Sequence, residues 1–131
     1  MNRKFSLLIV PALLLFFSIS IGAQSKQRVR FAKGASSAIV GGTVRGYAYR
    51  DFVIGAREGQ TLSAKLISRN GFTVLTIFTP DGSNLEGAAQ MDEFSGELPA
   101  SGDYVIRVGM MRAEARRKNS ISNFSVRISV R

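Results

Sequence analysis

The 131-residue chain contains no cysteine and no histidine. Without cysteine there is no thiol nucleophile, no disulfide framework and no lipid-modified thiol. Without histidine the usual general base is missing, and the two absences together remove the ordinary zinc ligands. Acidic residues are also sparse, nine against eighteen lysines and arginines, for a net charge of +9. A pair of carboxylates is all that glycoside hydrolysis needs, and Asp81, Glu86, Asp92, Glu93 and Glu97 are the candidates. All lie in or beside expected loops, with nothing nearby to build a pKa-raising pocket, so they read as solubilising surface charge. Neither a cofactor nor a metal site is expected.

Long apolar runs are lacking except at the start. Met1-Asn2-Arg3-Lys4 is basic, Phe5 to Phe17 is apolar apart from Ser6, and the small residues Ser18, Ser20, Gly22 and Ala23 follow. That order of charge, core and small residues is the pattern of a secretory signal. The run carries Pro11 and breaks at Ser18, short of the roughly 18 residues a membrane span needs. Residues 1–23 are therefore expected to be cleaved after Ala23, leaving residues 24–131 as one domain with no membrane anchor, expected to be monomeric. Loss of Arg3 and Lys4 lowers the net charge from +9 to +7. A positive excess suits nucleic acid, anionic lipid or an acidic pocket on a protein; export argues against nucleic acid. The basic residues are scattered except for one cluster, Arg112 to Lys118.

Beyond Gln24, short alternating or apolar runs are separated by Gly, Asn, Asp, Pro and Ser, as in an all-β sandwich or barrel. Eight strands are expected, near Arg28–Ala32, Ala38–Arg45, Tyr49–Ala56, Thr61–Ser68, Phe72–Phe78, Phe94–Leu98, Asp103–Met110 and Ser122–Val130. In the seventh, Tyr104, Ile106 and Val108 share one face and form core; in the eighth, Phe124, Val126, Ile128 and Val130 do the same. Asn70-Gly71 predicts a two-residue type I′ hairpin, because both central positions of that turn need positive φ. Pro80-Asp81-Gly82 and Ser101-Gly102-Asp103 predict further turns. Between the last two strands, Met111 to Asn119 is too long for a tight hairpin and favours about two helical turns or an ordered excursion. If helical, it projects Arg112 and Arg116 from one face.

Two weaker signals resolve to structure. Asp81-Gly82-Ser83-Asn84-Leu85-Glu86 lacks the alternating ligands of a calcium loop and reads as a turn. Gly41-Gly42 and Gly46 have no following helix to hold a phosphate and read as strand bends.

Several segments have a specific likeness: Phe31-Ala32-Lys33-Gly34-Ala35-Ser36-Ser37-Ala38, Gly46-Tyr47-Ala48-Tyr49, Ala56-Arg57-Glu58-Gly59-Gln60, Leu98-Pro99-Ala100-Ser101-Gly102-Asp103-Tyr104 with Arg107-Val108, and Arg112-Ala113-Glu114-Ala115-Arg116 with Lys118-Asn119. In this order and spacing the chain resembles the periplasmic inhibitors of g-type lysozyme over nearly all of the mature domain. Residues 71–95 match poorly. The resemblance implies an antiparallel β-sandwich in the periplasm that inserts two surface regions into the lysozyme active-site cleft. It places Ser36, Ser37 and Tyr47 in the first region, and Ser101, Gly102, Arg112 and Arg116 in the second.

The glycine-glutamine turn and the Ala-Ser-Gly-x-Tyr turn are also similar to pre-peptidase C-terminal domains. A carbohydrate- or envelope-binding module is therefore the alternative reading. On residues alone, Tyr47 could be an ordinary strand aromatic, Ser36-Ser37 turn residues, and Arg112 with Arg116 a solvated face.

Overall fold

The computed structural model describes residues 25–131; the expected signal, residues 1–23, lies outside them. Eight strands and one helical turn follow in the order β1 (Ser25–Arg28), β2 (Ser37–Arg45), β3 (Arg50–Ala56), β4 (Thr61–Ser68), β5 (Thr73–Phe78), β6 (Glu93–Glu97), β7 (Gly102–Met110), α1 (Arg112–Ala115) and β8 (Ile121–Val130). They form two four-stranded sheets: sheet A in the order β1-β3-β7-β5, sheet B in the order β2-β8-β4-β6. Odd-numbered strands make one sheet and even-numbered strands the other. Every connection between the described strands therefore crosses from sheet to sheet, and none of these strands neighbours, within its sheet, a strand adjacent to it in sequence.

Period-two patterning drives this arrangement. On β8, Ser122, Phe124, Val126, Ile128 and Val130 are buried and alternate with more exposed residues. Tyr104, Ile106 and Val108 of β7 are fully buried, as are Leu75 and Ile77 of β5. The inward faces meet in one core, in which Phe52 of β3 and Phe124 of β8 pack edge-to-face with ring centroids 6.0 Å apart. Each fully buried large apolar side chain contributes about 1.5–3 kcal/mol of transfer free energy. The buried Tyr104 hydroxyl donates to the Ala100 carbonyl (2.7 Å) and accepts from the Ala100 N–H (3.2 Å), so both polar groups of that corner are satisfied.

The architecture is the expected sandwich of eight strands, with three differences. The first strand lies at Ser25–Arg28 instead of Arg28–Ala32, and it pairs with β3 in parallel, not antiparallel. The alternating Val29 and Phe31 that suggested a strand pack against the core as the chain crosses to sheet B; an Ala32–Ala35 turn with Gly34 at φ 80° follows before β2. Asn70-Gly71 is not a hairpin. It joins strands of different sheets, neither residue has positive φ, and Asn70 Oδ1 instead accepts the Phe72 N–H at 3.0 Å. A type I′ turn would have placed β4 beside β5, whereas β8 and β6 take both edges of β4. The excursion after β7 holds one four-residue helical turn, not two, and Asn119 at φ 60° returns it to β8.

Candidate functional site

The β2–β3 connection begins at Arg45, and Ala48 N–H closes a turn onto the Arg45 carbonyl at 3.0 Å. Gly46, at φ 54°, is the only central residue of that turn with positive φ, the signature of a type II′ turn with glycine first. Gly46 N–H also donates to the Ser120 carbonyl at 3.0 Å, which ties the turn to the entry of β8. Tyr47 occupies the next position and is 64% exposed.

Behind it, Tyr49 lies against Arg107 of β7, whose guanidinium stands 3.8 Å from the Tyr49 ring centroid and 4.9 Å from that of Phe78. Asp51 accepts from the same guanidinium at 2.9 and 3.0 Å. This pairing raises the Arg107 pKa, against partial burial.

The α1 excursion closes the same end of the sandwich. Ala115 is buried beneath it. Glu114 accepts from Ser120 Oγ (3.2 Å), Asn70 Nδ2 (3.5 Å) and Arg117 (3.5 Å), linking the helical turn to the β4–β5 crossover and to the segment that leads into β8. The Arg116 N–H donates to the Arg112 carbonyl at 3.1 Å. One turn of helix thus separates the two arginines and aims them from one face. Both are exposed, and among the described residues neither side chain has an ion pair.

The same end carries apolar groups that sequence patterning did not single out. Phe72 is 50% exposed on the β4–β5 crossover, and Met111 and Ile121 are also partly exposed. Phe72 is held at both main-chain groups, its N–H by Asn70 Oδ1 and its carbonyl by the Met111 N–H at 2.8 Å. Its position beside an Asx turn was the available clue, hidden because Asn70-Gly71 reads as a hairpin.

The structure does not bring together all the residues that the resemblance points to. Tyr47, Arg112 and Arg116 converge on this end. Ser36 and Ser37 stand at the start of β2, and Ser101 and Gly102 at the start of β7, both at the opposite end. The length of β2 separates the groups, roughly 26 Å for nine residues. At that far end Ser101 Oγ accepts the Glu58 N–H at 2.9 Å. Gly102 has φ 140°, and a Cβ there would lie 2.9 Å from Pro80. The Ser36 carbonyl takes the Val130 N–H at 2.9 Å, and Ser37 pairs with Ser129.

Of the five candidate carboxylates, Asp81 sits in its own turn, bonded by Ser83 and Thr79, which hold its pKa at about 2. No cluster of three acidic residues occurs among the described residues.

Fold and tip define a β-sandwich whose one end carries an exposed tyrosine and two arginines that form no ion pair among the described residues. The comparisons give that class its family. No protein-family model matches the chain. It is 31% identical over 130 residues to the inhibitor of g-type lysozyme of Escherichia coli K12, covering 93% of each chain. Among solved structures it is similar to the periplasmic g-type lysozyme inhibitor PliG of Aeromonas hydrophila, at TM-score 0.71 and 32% identity over 82% of this chain and 96% of that one. It is similar also to PliG of Salmonella Typhimurium, at TM-score 0.66 and 32% identity over 82% and 98% of the two chains. The chain belongs to the family of periplasmic inhibitors of g-type lysozyme.

Proposed function

We propose that this protein inhibits g-type lysozyme, without catalysis of its own, by seating the Tyr47–Arg112–Arg116 end of the sandwich in the enzyme's cleft. The carrying observation is the convergence at one braced end of an exposed tyrosine and, from a distant part of the sequence, two arginines without an ion pair among the described residues. A lysozyme cleft holds a sugar chain beside a carboxylic acid whose proton the leaving oxygen must receive. A guanidinium set against that acid offers parallel charge-assisted hydrogen bonds and stabilises the carboxylate, so the proton is no longer available. Tyr47 supplies a flat ring for a sugar subsite, with its hydroxyl at the rim. Phe72 and Met111 add apolar area beside Arg112.

Ser36, Ser37, Ser101 and Gly102 act in this reading through the fold of the far end. The bracing of the tip matters because side chains and loops already fixed before binding spare the ordering cost of association. The test is cell-wall lysis by goose-type, chicken-type and invertebrate-type lysozymes with the mature protein added. Near-stoichiometric inhibition confined to the goose-type enzyme is the expected result; no inhibition of that enzyme overturns the function. Retention of glycan by the protein with lysozyme absent would instead favour an envelope-binding module.

A further inference from the structure

The outer face of sheet B, away from the tip, carries an arrangement that the proposed inhibition by the tip does not use. Strand register lines up Ser37, Ser129, Ser63 and Ser95 in one row across all four strands. One row further along β8 and β4, Arg127 stands directly opposite Lys65. Like charges so placed destabilise a strand pair. Arg131, exposed at the end of β8, points from the same face, with Ser129 between it and Arg127. Its main chain is fixed to Thr61 by hydrogen bonds of 2.8 and 3.1 Å.

These residues line one shallow basin of about 380 Å³ together with Glu93. Glu93 lies opposite Lys65 in register, but no ion pair joins them, and among the described residues Lys65, Arg127 and Arg131 form none. Three cations face one acid over a floor of serine hydroxyls, in which Ser63 and Ser95 are bonded to each other at 3.0 Å; when Ser95 donates in that pair, the Ser63 proton is free to turn to an anion, and the set is the complement of an oxyanion. Arginine in particular matches the tetrahedral oxygens of phosphate through its planar fork.

We infer that this basin binds a phosphate group, with Arg127, Arg131 and Lys65 supplying charge and Ser63 and Ser129 supplying hydroxyl donors. Bound phosphate removes the repulsion between Lys65 and Arg127. Because the basin faces sideways and towards the end opposite Tyr47, a phosphate-bearing envelope surface could hold the protein while its tip stays free.

The test compares the mature protein, the double variant Arg127→Gln/Arg131→Gln, and a charge-matched control, Arg69→Gln/Lys118→Gln. Each is titrated in a phosphate-free buffer of fixed ionic strength. One arm uses inorganic phosphate read by the amide resonances of Ser63 and Ser129. The other uses phosphatidylcholine vesicles with and without phosphatidylglycerol.

The wild type is expected to respond in at least one arm, with the basin variant weakened about tenfold or more and the control less than twofold. A response to phosphate alone marks a soluble ligand, and a response to phosphatidylglycerol vesicles marks a headgroup. Equal weakening of both variants would reduce the effect to net charge and overturn the site, as would no response in either arm. Lysozyme inhibition by the basin variant serves as the folding control.

Discussion

Replacing Arg107 by methionine tests the brace behind the tip. The substitution keeps an unbranched side chain of similar reach and removes the guanidinium that Asp51 grips at 2.9 and 3.0 Å. Asp51 is only 8% exposed, so its carboxylate would be left largely desolvated without a partner. Breaking a buried pair costs about 3–5 kcal/mol. The Arg107 side chain is 36% exposed, and screening brings the expected loss down to about 2–3 kcal/mol. The contacts with Tyr49 and Phe78 add about 0.5–1 kcal/mol each, for a total near 3–5 kcal/mol.

Urea unfolding of wild type and variant measures this directly. Asp51→Asn in the same chain should recover part of the loss, because it removes the stranded charge, and a double-mutant cycle should give a coupling of about 1–3 kcal/mol. Arg107→Lys should not restore the wild-type value, since an ammonium neither grips bidentately nor stacks between two rings. A loss below about 1 kcal/mol for Arg107→Met, or no recovery with Asp51→Asn, would refute the view that this pair braces the tip.

Phe72→Ala should leave urea stability within about 1 kcal/mol, because the ring is half exposed, yet weaken lysozyme binding by about 2 kcal/mol or more if Phe72 is an interface anchor; calorimetry with the purified enzyme separates the two. Tyr104→Phe leaves the Ala100 N–H and carbonyl without the hydroxyl that serves both and should cost about 1–3 kcal/mol in urea unfolding. Asp81 is held at about pKa 2 by Ser83 and Thr79, below the roughly 3.9 of an unfolded aspartate. A depressed folded pKa stabilises the fold above the unfolded value, and the gain is lost as pH falls through the folded one. The stability contributed by this turn should therefore fade from about pH 4 to pH 2, and Asp81→Asn should flatten the acid limb of a stability–pH curve over that window.

Much of the fold was legible because strand identity depends on local alternation. The inward residues of β7 and β8, read from period-two patterning, are the buried ones. Pairing was less legible. Asn70-Gly71 has the composition of a hairpin, but the Asx turn onto Phe72 and the claims of β6 and β8 on both edges of β4 prevail, and those are tertiary facts. β1 was displaced for a similar reason: Val29 and Phe31 serve the core as a crossover without needing strand partners.

At the site, the spacing of Arg112 and Arg116 did imply a shared face. Their placement at the same end as Tyr47 could not be read from residue patterning, since it depends on the Gly46–Ser120 hydrogen bond joining segments that are far apart in the chain. Nor could the separation of Ser36, Ser37, Ser101 and Gly102 from that tip, which follows from nine-residue strands running from one end to the other.

The central claim is that one end of the sandwich does the inhibiting, and the inhibition constant for goose-type lysozyme across two sets of substitutions tests it most directly. Tyr47→Ala, Arg112→Ala and Arg116→Ala should each weaken inhibition by about 2–4 kcal/mol, roughly thirtyfold to a thousandfold, with unfolding curves unchanged. Ser36→Ala and Ser37→Ala, at the other end, should leave it within about twofold. Full inhibition by the tip variants, or loss of inhibition by the folded serine variants, would contradict it.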